Sequence, residues 1–212
     1  MGGDFIDARK LLMTKAALNK LTFQTRRFKM RPIDRGDFEA WELSMLHMKE
    51  KQNKFDDAIL ARKHINRDFF QKMVTRHRGY RNRNVIYYFG VFDKKGGVLV
   101  GYVVLSLIQR FNVQSARISY GIFNNFWRQG IGIQIVNAAA LFAFRRLKLH
   151  RLEAEIQPDN KPSIALAKAA GFSKEGYRRK AVYFDGAWHD HVVYSLIAED
   201  IGLRNSRPII RI

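Results

Sequence analysis

Trp127-Arg-Gln-Gly-Ile-Gly-Ile133 separates a strand at Arg117–Ile122 from a long helix running from about Gly130 to Arg146. A further strand at Arg151–Ile156 makes a strand–helix–strand unit, which favours parallel pairing by a right-handed crossover. The loop, Asn124–Gln129, stands where an anion is held well. Glycines let the backbone approach closely, successive N–H groups point outward, and the helix dipole favours negative charge. A dinucleotide fingerprint would need a third glycine after Gly132, but Ile133, Gln134 and Ile135 follow. The Gly-Lys-Ser/Thr of a nucleoside-triphosphate loop is absent. The loop therefore reads as a pyrophosphate holder of neither kind, although a bare Gly-x-Gly fits a packing-driven turn equally well.

Working outward, a strand is expected at Phe23–Arg31, ended by Pro32, with Asp34 capping a helix to about Met48. Asp56–His77 reads as a second helical region, with Ile59, Leu60, Ile65, Phe69, Phe70 and Met73 at roughly helical spacing. Val85–Phe92 and Val98–Ile108 are rich in β-branched and aromatic residues and flank a hairpin loop, Asp93-Lys-Lys-Gly-Gly97. Downstream, Pro162–Ala169 is a short helix ended by Gly171, and two strands around Arg178–Phe184 and Trp188–Ile197 turn at Asp185-Gly186. This order gives a mixed-sheet α/β domain over residues 21–198. An N-terminal extension at 1–20, read as a short helix, and a basic tail at 199–212 flank it.

The 212 residues are enough to bury a substantial core. The absence of cysteine excludes a Cys nucleophile, an acetyl-cysteine relay, thiolate zinc sites and disulfides. The first residues do not read as a signal peptide, and no apolar run approaches a membrane span, so a cytoplasmic protein is expected. Net charge is +19, which draws the chain toward polyanions. The segment Arg62–Arg83 carries Arg62, Lys63, Arg67, Lys72, Arg76, Arg78, Arg81 and Arg83 against Asp68 alone. With His64, His77, Phe69, Phe70 and Tyr80 interleaved, it reads either as a solvated face or as an RNA-contacting patch.

The Gly-rich loop, His150-Arg-Leu-Glu-Ala-Glu-Ile156, Pro158-Asp-Asn-Lys-Pro-Ser163, Ala170-Gly-Phe172, Glu175-Gly176 and Asp185-Gly-Ala-Trp188 follow in close order. This run resembles the GNAT N-acetyltransferase superfamily, and more narrowly its RimJ/RimL branch of ribosomal-protein N-terminal alanine acetyltransferases. The resemblance spans Ile118–Ile197 and is fainter over Phe23–Phe92. It implies a single GNAT-type domain with a splayed parallel strand pair, flanking helices and acetyl-CoA as cofactor. It further implies that the amides of Arg128, Gln129, Gly130, Ile131, Gly132 and Ile133 hold the CoA pyrophosphate. The strand ending at Ile122 and Phe123 would lie along the pantetheine arm, and Asn160 and Ser163 would face the cofactor. Trp127 stands where the superfamily usually has Gln or Arg; an aromatic residue there is familiar in this branch.

Acetyl transfer needs a deprotonated amine and a polarised carbonyl. With no Cys and no Gly-x-Ser-x-Gly elbow, direct attack in a ternary complex is the economical route. Strand alternation puts Leu152, Ala154 and Ile156 on one face and Arg151, Glu153 and Glu155 on the other. Glu155 matches the strand position that serves as base in some relatives; the competing reading is that Glu153 and Glu155 pair with nearby arginines. The tyrosine acid of many relatives would fall at Ala167, leaving thiolate protonation to Ser163, water or bulk solvent. Asn160 equally reads as a helix cap. His189 and His191 share a strand face but lack a third ligand, so no metal is expected. The expected acceptor is a protein N-terminal α-amine, a ribosomal protein favoured, with rRNA contact through Arg62–Arg83. The alternatives are a small amine, such as an antibiotic or peptide toxin, or a ribosome- or RNA-binding protein with a vestigial acyl-CoA pocket.

Overall fold

The computed structural model describes residues 21–56 and 60–204; the expected extension at 1–20, Ile59 and the end of the basic tail lie outside them. The strands are β1 (Phe23–Gln24), β2 (Phe28–Arg31), β3 (Ile86–Asp93), β4 (Leu99–Gln109), β5 (Ser115–Ile122), β6 (Arg151–Ile156), β7 (Ser173–Phe184) and β8 (Ala187–Ile197). Four α-helices accompany them among the described residues: α1 (Phe38–Leu46), α2 (Arg67–Asn82), α3 (Ile131–Arg145) and α4 (Lys161–Ala169). The strands form one sheet in the order β1-β2-β3-β4-β5-β6-β8-β7.

Among the described residues only β5 and β6 pair in parallel, through the crossover helix α3. Their register joins Ser115 to Arg151, Ala116 to Leu152 and Arg117 to Glu153, and then stops. Beyond it β5 continues to Ile122 and β6 to Ile156 unpaired with each other, so the sheet splays open at their C-terminal ends. The alternation expected on β6 is present: Leu152, Ala154 and Ile156 are buried, while Arg151, Glu153 and Glu155 face the other way. That buried face packs under α3, whose Ile135, Val136, Ala139 and Ala143 are fully enclosed with Phe89, Leu105 and Leu152. A second core lies under α1 and α2, built from Phe38, Trp41, Phe70, Val74, Phe92, Leu99 and Phe123.

Three expectations change. The strand at Phe23–Arg31 is broken into β1 and β2 because Thr25 Oγ1 accepts the amides of Arg27 (3.2 Å) and Phe28 (2.9 Å), giving the backbone a turn in place of a ladder. Asp34 caps a 3₁₀ turn, Arg35–Asp37, rather than α1 directly, with the Asp37 carboxylate accepting the Asp34 amide in return. The helix expected over Asp56–His77 starts only at Arg67, where Asn66 Oδ1 accepts the Phe69 amide at 2.9 Å, and it runs on to Asn82.

The basic run also sorts itself by helical face. Arg62, Lys63, Arg67, Lys72, Arg76, Arg78 and Arg83 are exposed, while Arg81 is buried. Phe70 is buried, Phe69 packs on Trp41, and His77 stacks on Tyr88 with ring centroids 3.8 Å apart. Phe69 and Phe70 thus tie α2 to α1, and His77 ties it to β3, so these three rings are engaged within the fold.

Burial, with the charges of Arg76 and Arg81, pushes the His77 imidazole down from 6.5 to about 4. Above pH 6.5 the ring is neutral whether folded or unfolded and costs nothing. As pH falls from 6.5 toward 4 the unfolded chain takes up a proton that the folded one refuses, and stability falls. After solvent screening we expect a loss of about 1–2 kcal/mol over that window. Urea unfolding at both ends of the window, compared with His77→Phe, checks this; equal pH dependence in the two proteins would show that the ring carries no penalty.

Candidate active site

The C-terminal end of β5 leads through a 3₁₀ turn, Asn124–Phe126, to α3. Trp127 Nε1 donates to the Ile122 carbonyl at 2.6 Å, pinning the loop to the strand end. Arg128 (φ 61°) and Gly130 (φ 65°) both take left-handed backbone conformations. Gly130 is the N-cap of α3, offers no side-chain cap, and the first turn has no acidic residue. The opening amides of α3 are thus left for an outside acceptor. A Cβ on Gly132 would stand 2.8 Å from Leu166 Cδ2, so α3 and α4 meet closely at this position. Arg26, Arg27, Lys94 and Lys95 line a cleft of about 590 Å³ alongside, and Arg27 reaches Gln129 Oε1 at 3.3 Å. Asp93 lies in the same cleft, paired with Arg27 at 2.9 Å, and the remaining cations with the free helix amides match the sign of a diphosphate.

The splay between β5 and β6 is filled by a cavity of about 180 Å³ lined from both sides of the sheet. From the α3 and α4 side come Ile118, Tyr120, Ile156, Asn160 and Ser163; from the opposite face come Ser119, Glu155 and His191. His191 shares that face because Glu155 pairs with Val193 on β8, two residues on. An acyl donor and an acceptor entering from opposite faces could therefore meet inside one opening.

Glu155 is the most enclosed charge there, its side chain 4% exposed. Its Oε1 accepts from Arg117 Nη2 and from Arg178 Nη1, both at 2.5 Å. His191 Nδ1 lies 4.0 Å from Oε2 and, although buried, has no hydrogen-bond partner. Burial lowers the His191 ring below the usual imidazole range; Glu155 opposes that shift, and Arg117, His189 and Arg178 reinforce it. Glu153 is taken up elsewhere, by Arg151 at 2.9 Å, which also holds Glu175.

Tyr120 and Ser163 meet at the first turn of α4. The Tyr120 hydroxyl donates to the Ser163 carbonyl at 3.4 Å, and burial pushes that phenol up to about 12. Asn160 caps α4, its Oδ1 accepting the Ser163 amide at 3.2 Å, and it also lines the cavity, so its two readings coexist. Ala167 is 1% exposed in the core under α4.

Of the residues singled out from sequence, the structure brings Glu155, Asn160 and Ser163 to the cavity, and gathers Arg128, Gln129, Gly130, Ile131, Gly132 and Ile133 at the mouth of α3. Ile122 anchors the loop. Phe123 is turned away: its ring is in the core beneath α1 and α2, and its amide is bonded to the Val100 carbonyl at 3.0 Å. Sequence reasoning missed Ser119 and Tyr120, whose signal was the alternation on β5. It met His191 only as half of a histidine pair; the described residues contain no cluster of three metal-ligating side chains.

The acetyltransferase (GNAT) domain family matches residues 27–173. Among curated proteins, "Probable N-acetyltransferase YjcK" of Bacillus subtilis (strain 168) is 34% identical over 152 residues, 64% of this chain and 84% of that protein. The [Ribosomal protein uS5]-alanine N-acetyltransferase of Escherichia coli (strain K12) is 26% identical over 165 residues, 77% of this chain and 85% of that one. Among solved structures, Mycobacterium smegmatis RimJ in complex with CoA-disulfide superposes with a TM-score of 0.73 at 22% identity, covering 87% of this chain and 90% of that one.

Proposed function

Because this chain belongs to the GNAT acetyltransferase family and is an N-acetyltransferase, we propose that it transfers acetyl from acetyl-CoA to the α-amine of a protein N-terminus, a ribosomal protein favoured. The observation that carries this is the two-faced cavity at the β5–β6 splay, open beside an uncapped, cation-flanked helix start. The loop from Arg128 to Ile133 would hold the diphosphate, with Asn160 and Ser163 beside the thioester end. Bound there, acetyl-CoA supplies an activated acyl group.

An α-amine suits this site because its pKa near 8 lets it lose a proton far more readily than lysine near 10.4. No strong base is then required, and direct attack needs only positioning and one proton acceptor. Tyr120 and Ser163 line the cavity, and their hydroxyl groups would serve the departing sulfur as hydrogen-bond donors, with alanine at 167. Arg117 and Arg178 beside the cavity disfavour a polyamine acceptor.

The ribosomal preference draws on the relative that acetylates uS5 and on the exposed cations of Arg62–Arg83, which would dock on rRNA as point charges along phosphates. Incubation of purified ribosomes with the enzyme, with and without acetyl-CoA, followed by intact-protein mass spectrometry, tests the proposal. One ribosomal protein is expected to gain a single N-terminal acetyl group. No gain on any ribosomal protein, from an enzyme that binds acetyl-CoA, would remove the ribosome from the proposal.

A further inference from the structure

Resting on that reading, we propose that His191 is the group that takes the proton from the incoming ammonium, and that Glu155 acts through it as a positioning residue. Glu155 alone is poorly placed for the task. Two guanidinium groups occupy Oε1, and the carboxylate is nearly closed off from solvent. Its remaining oxygen, Oε2, lies 4.0 Å from His191 Nδ1, within ion-pair reach but outside hydrogen-bond distance. The ring lines the cavity on the face opposite Asn160 and Ser163, and its buried Nδ1 has unused hydrogen-bonding capacity. In the proposal substrate binding closes this gap to a hydrogen bond, as catalytic contacts that are long without substrate tighten in the complex.

The charges around the ring come from every neighbouring strand. Arg117 on β5, Arg178 on β7 and His189 on β8 discourage a proton, as does burial, while Glu155 on β6 invites one. The ring is thereby neutral at neutral pH, with a nitrogen able to accept, and the carboxylate stands ready to stabilise the cation that forms. With Nδ1–H directed at Glu155, one N–H proton of the ammonium passes to Nε2. The freed lone pair attacks the thioester carbonyl carbon, the C–N bond forms, and the C–S bond breaks with its electron pair leaving on sulfur. The second N–H proton ends on that sulfur, and His191 returns the first to solvent.

Two readouts test the pair. In steady-state kinetics with acetyl-CoA and a short peptide bearing a free N-terminal alanine, wild-type kcat/KM should fall on the acid side as the ring protonates below pH 6.5. His191→Gln should be about 100-fold slower at neutral pH and lose that acid limb, whereas a merely structural role would lower the rate and keep the limb. His189→Gln, at a ring stacked on Phe184, should keep both rate and limb. The second readout is NMR titration of the His191 ring in the protein without substrates, where Glu155→Gln should shift the ring to lower pH. An acid limb and a rate within about threefold of wild type in His191→Gln would overturn the proposal, as would a ring titration indifferent to Glu155→Gln. If wild type acetylates no such peptide, the N-terminal reading falls, and the ring titration still decides the Glu155–His191 pair. Should His191→Gln fail to fold, the same titration stands in its place.

Discussion

Replacing Gly101 by alanine is expected to cost about 3 kcal/mol of stability and to loosen the Gly-rich loop with it. Gly101 lies opposite Ile122 across β4 and β5, where the strands approach more closely than side chains allow. A Cβ there would stand 2.2 Å from the Gly121 carbonyl oxygen and 3.1 Å from Ile122 Cα. Both obstacles are backbone, so no rotamer relieves them, and β5 must move away from β4. The end of β5 is also the root of the loop: the Ile122 carbonyl accepts from Trp127, and the Phe123 amide is tied to Val100 beside Gly101. The displacement therefore reaches the amides at the mouth of α3. Urea unfolding should show the lost stability, and a calorimetric titration should show weakened acetyl-CoA binding in the fraction that stays folded. Gly176→Ala is the control, since nothing lies within 4 Å of its added Cβ. It should fall within about 0.5 kcal/mol of wild type. If the two variants behaved alike, the β4–β5 contact would not be what demands glycine at 101.

How far the fold was legible follows from which forces set each element. The strand–loop–helix–strand unit was readable because it rests on local signals: glycines at the turn, a long apolar helix, and the strict alternation of Arg151–Ile156. The Asp185-Gly186 turn was readable for the same reason, both residues having positive φ as a two-residue hairpin requires. What escaped depended on competition or on distance. Thr25 could extend a strand or fold its hydroxyl onto the amides two and three residues ahead, and only the pairing of β2 with β3 decides between them. In Arg62–Arg83, charge and aromatic residues alternate along the chain, which resembles an RNA-binding pattern. Winding into a helix separates them, with every cation of α2 but Arg81 turned to solvent, Phe69 and Phe70 toward α1 and its core, and His77 onto Tyr88 of the sheet. Phe123 follows a strand that reaches the site, yet its ring turns to the opposite core. The nearness of His191 to Glu155 was invisible because it depends on β8 lying between β6 and β7, a placement that no spacing in the chain encodes.

The second large effect concerns charge at Gly130, and a matched pair of substitutions isolates it. At φ 65° and ψ 19° this N-cap occupies the left-handed region, where asparagine and aspartate are the best tolerated side chains. Nothing lies within 4 Å of a Cβ built there, so the two substitutions meet similar strain and no clash. They differ by one negative charge at the mouth of α3. If the opening amides hold a diphosphate, that charge opposes it at about 5 Å, which at an effective dielectric near 20 is worth about 3 kcal/mol. Gly130→Asp should then bind acetyl-CoA a hundredfold or more weaker than Gly130→Asn at low salt. The gap should narrow as salt is added, because the loop is exposed and screening acts on it fully. Gly130→Asn itself should lose little, and both variants should melt near the same temperature. Equal affinities for the two variants would mean that no anion sits against this helix start, and the diphosphate would have to be placed elsewhere on the molecule. A large gap that ignores salt would point instead to a backbone change specific to aspartate.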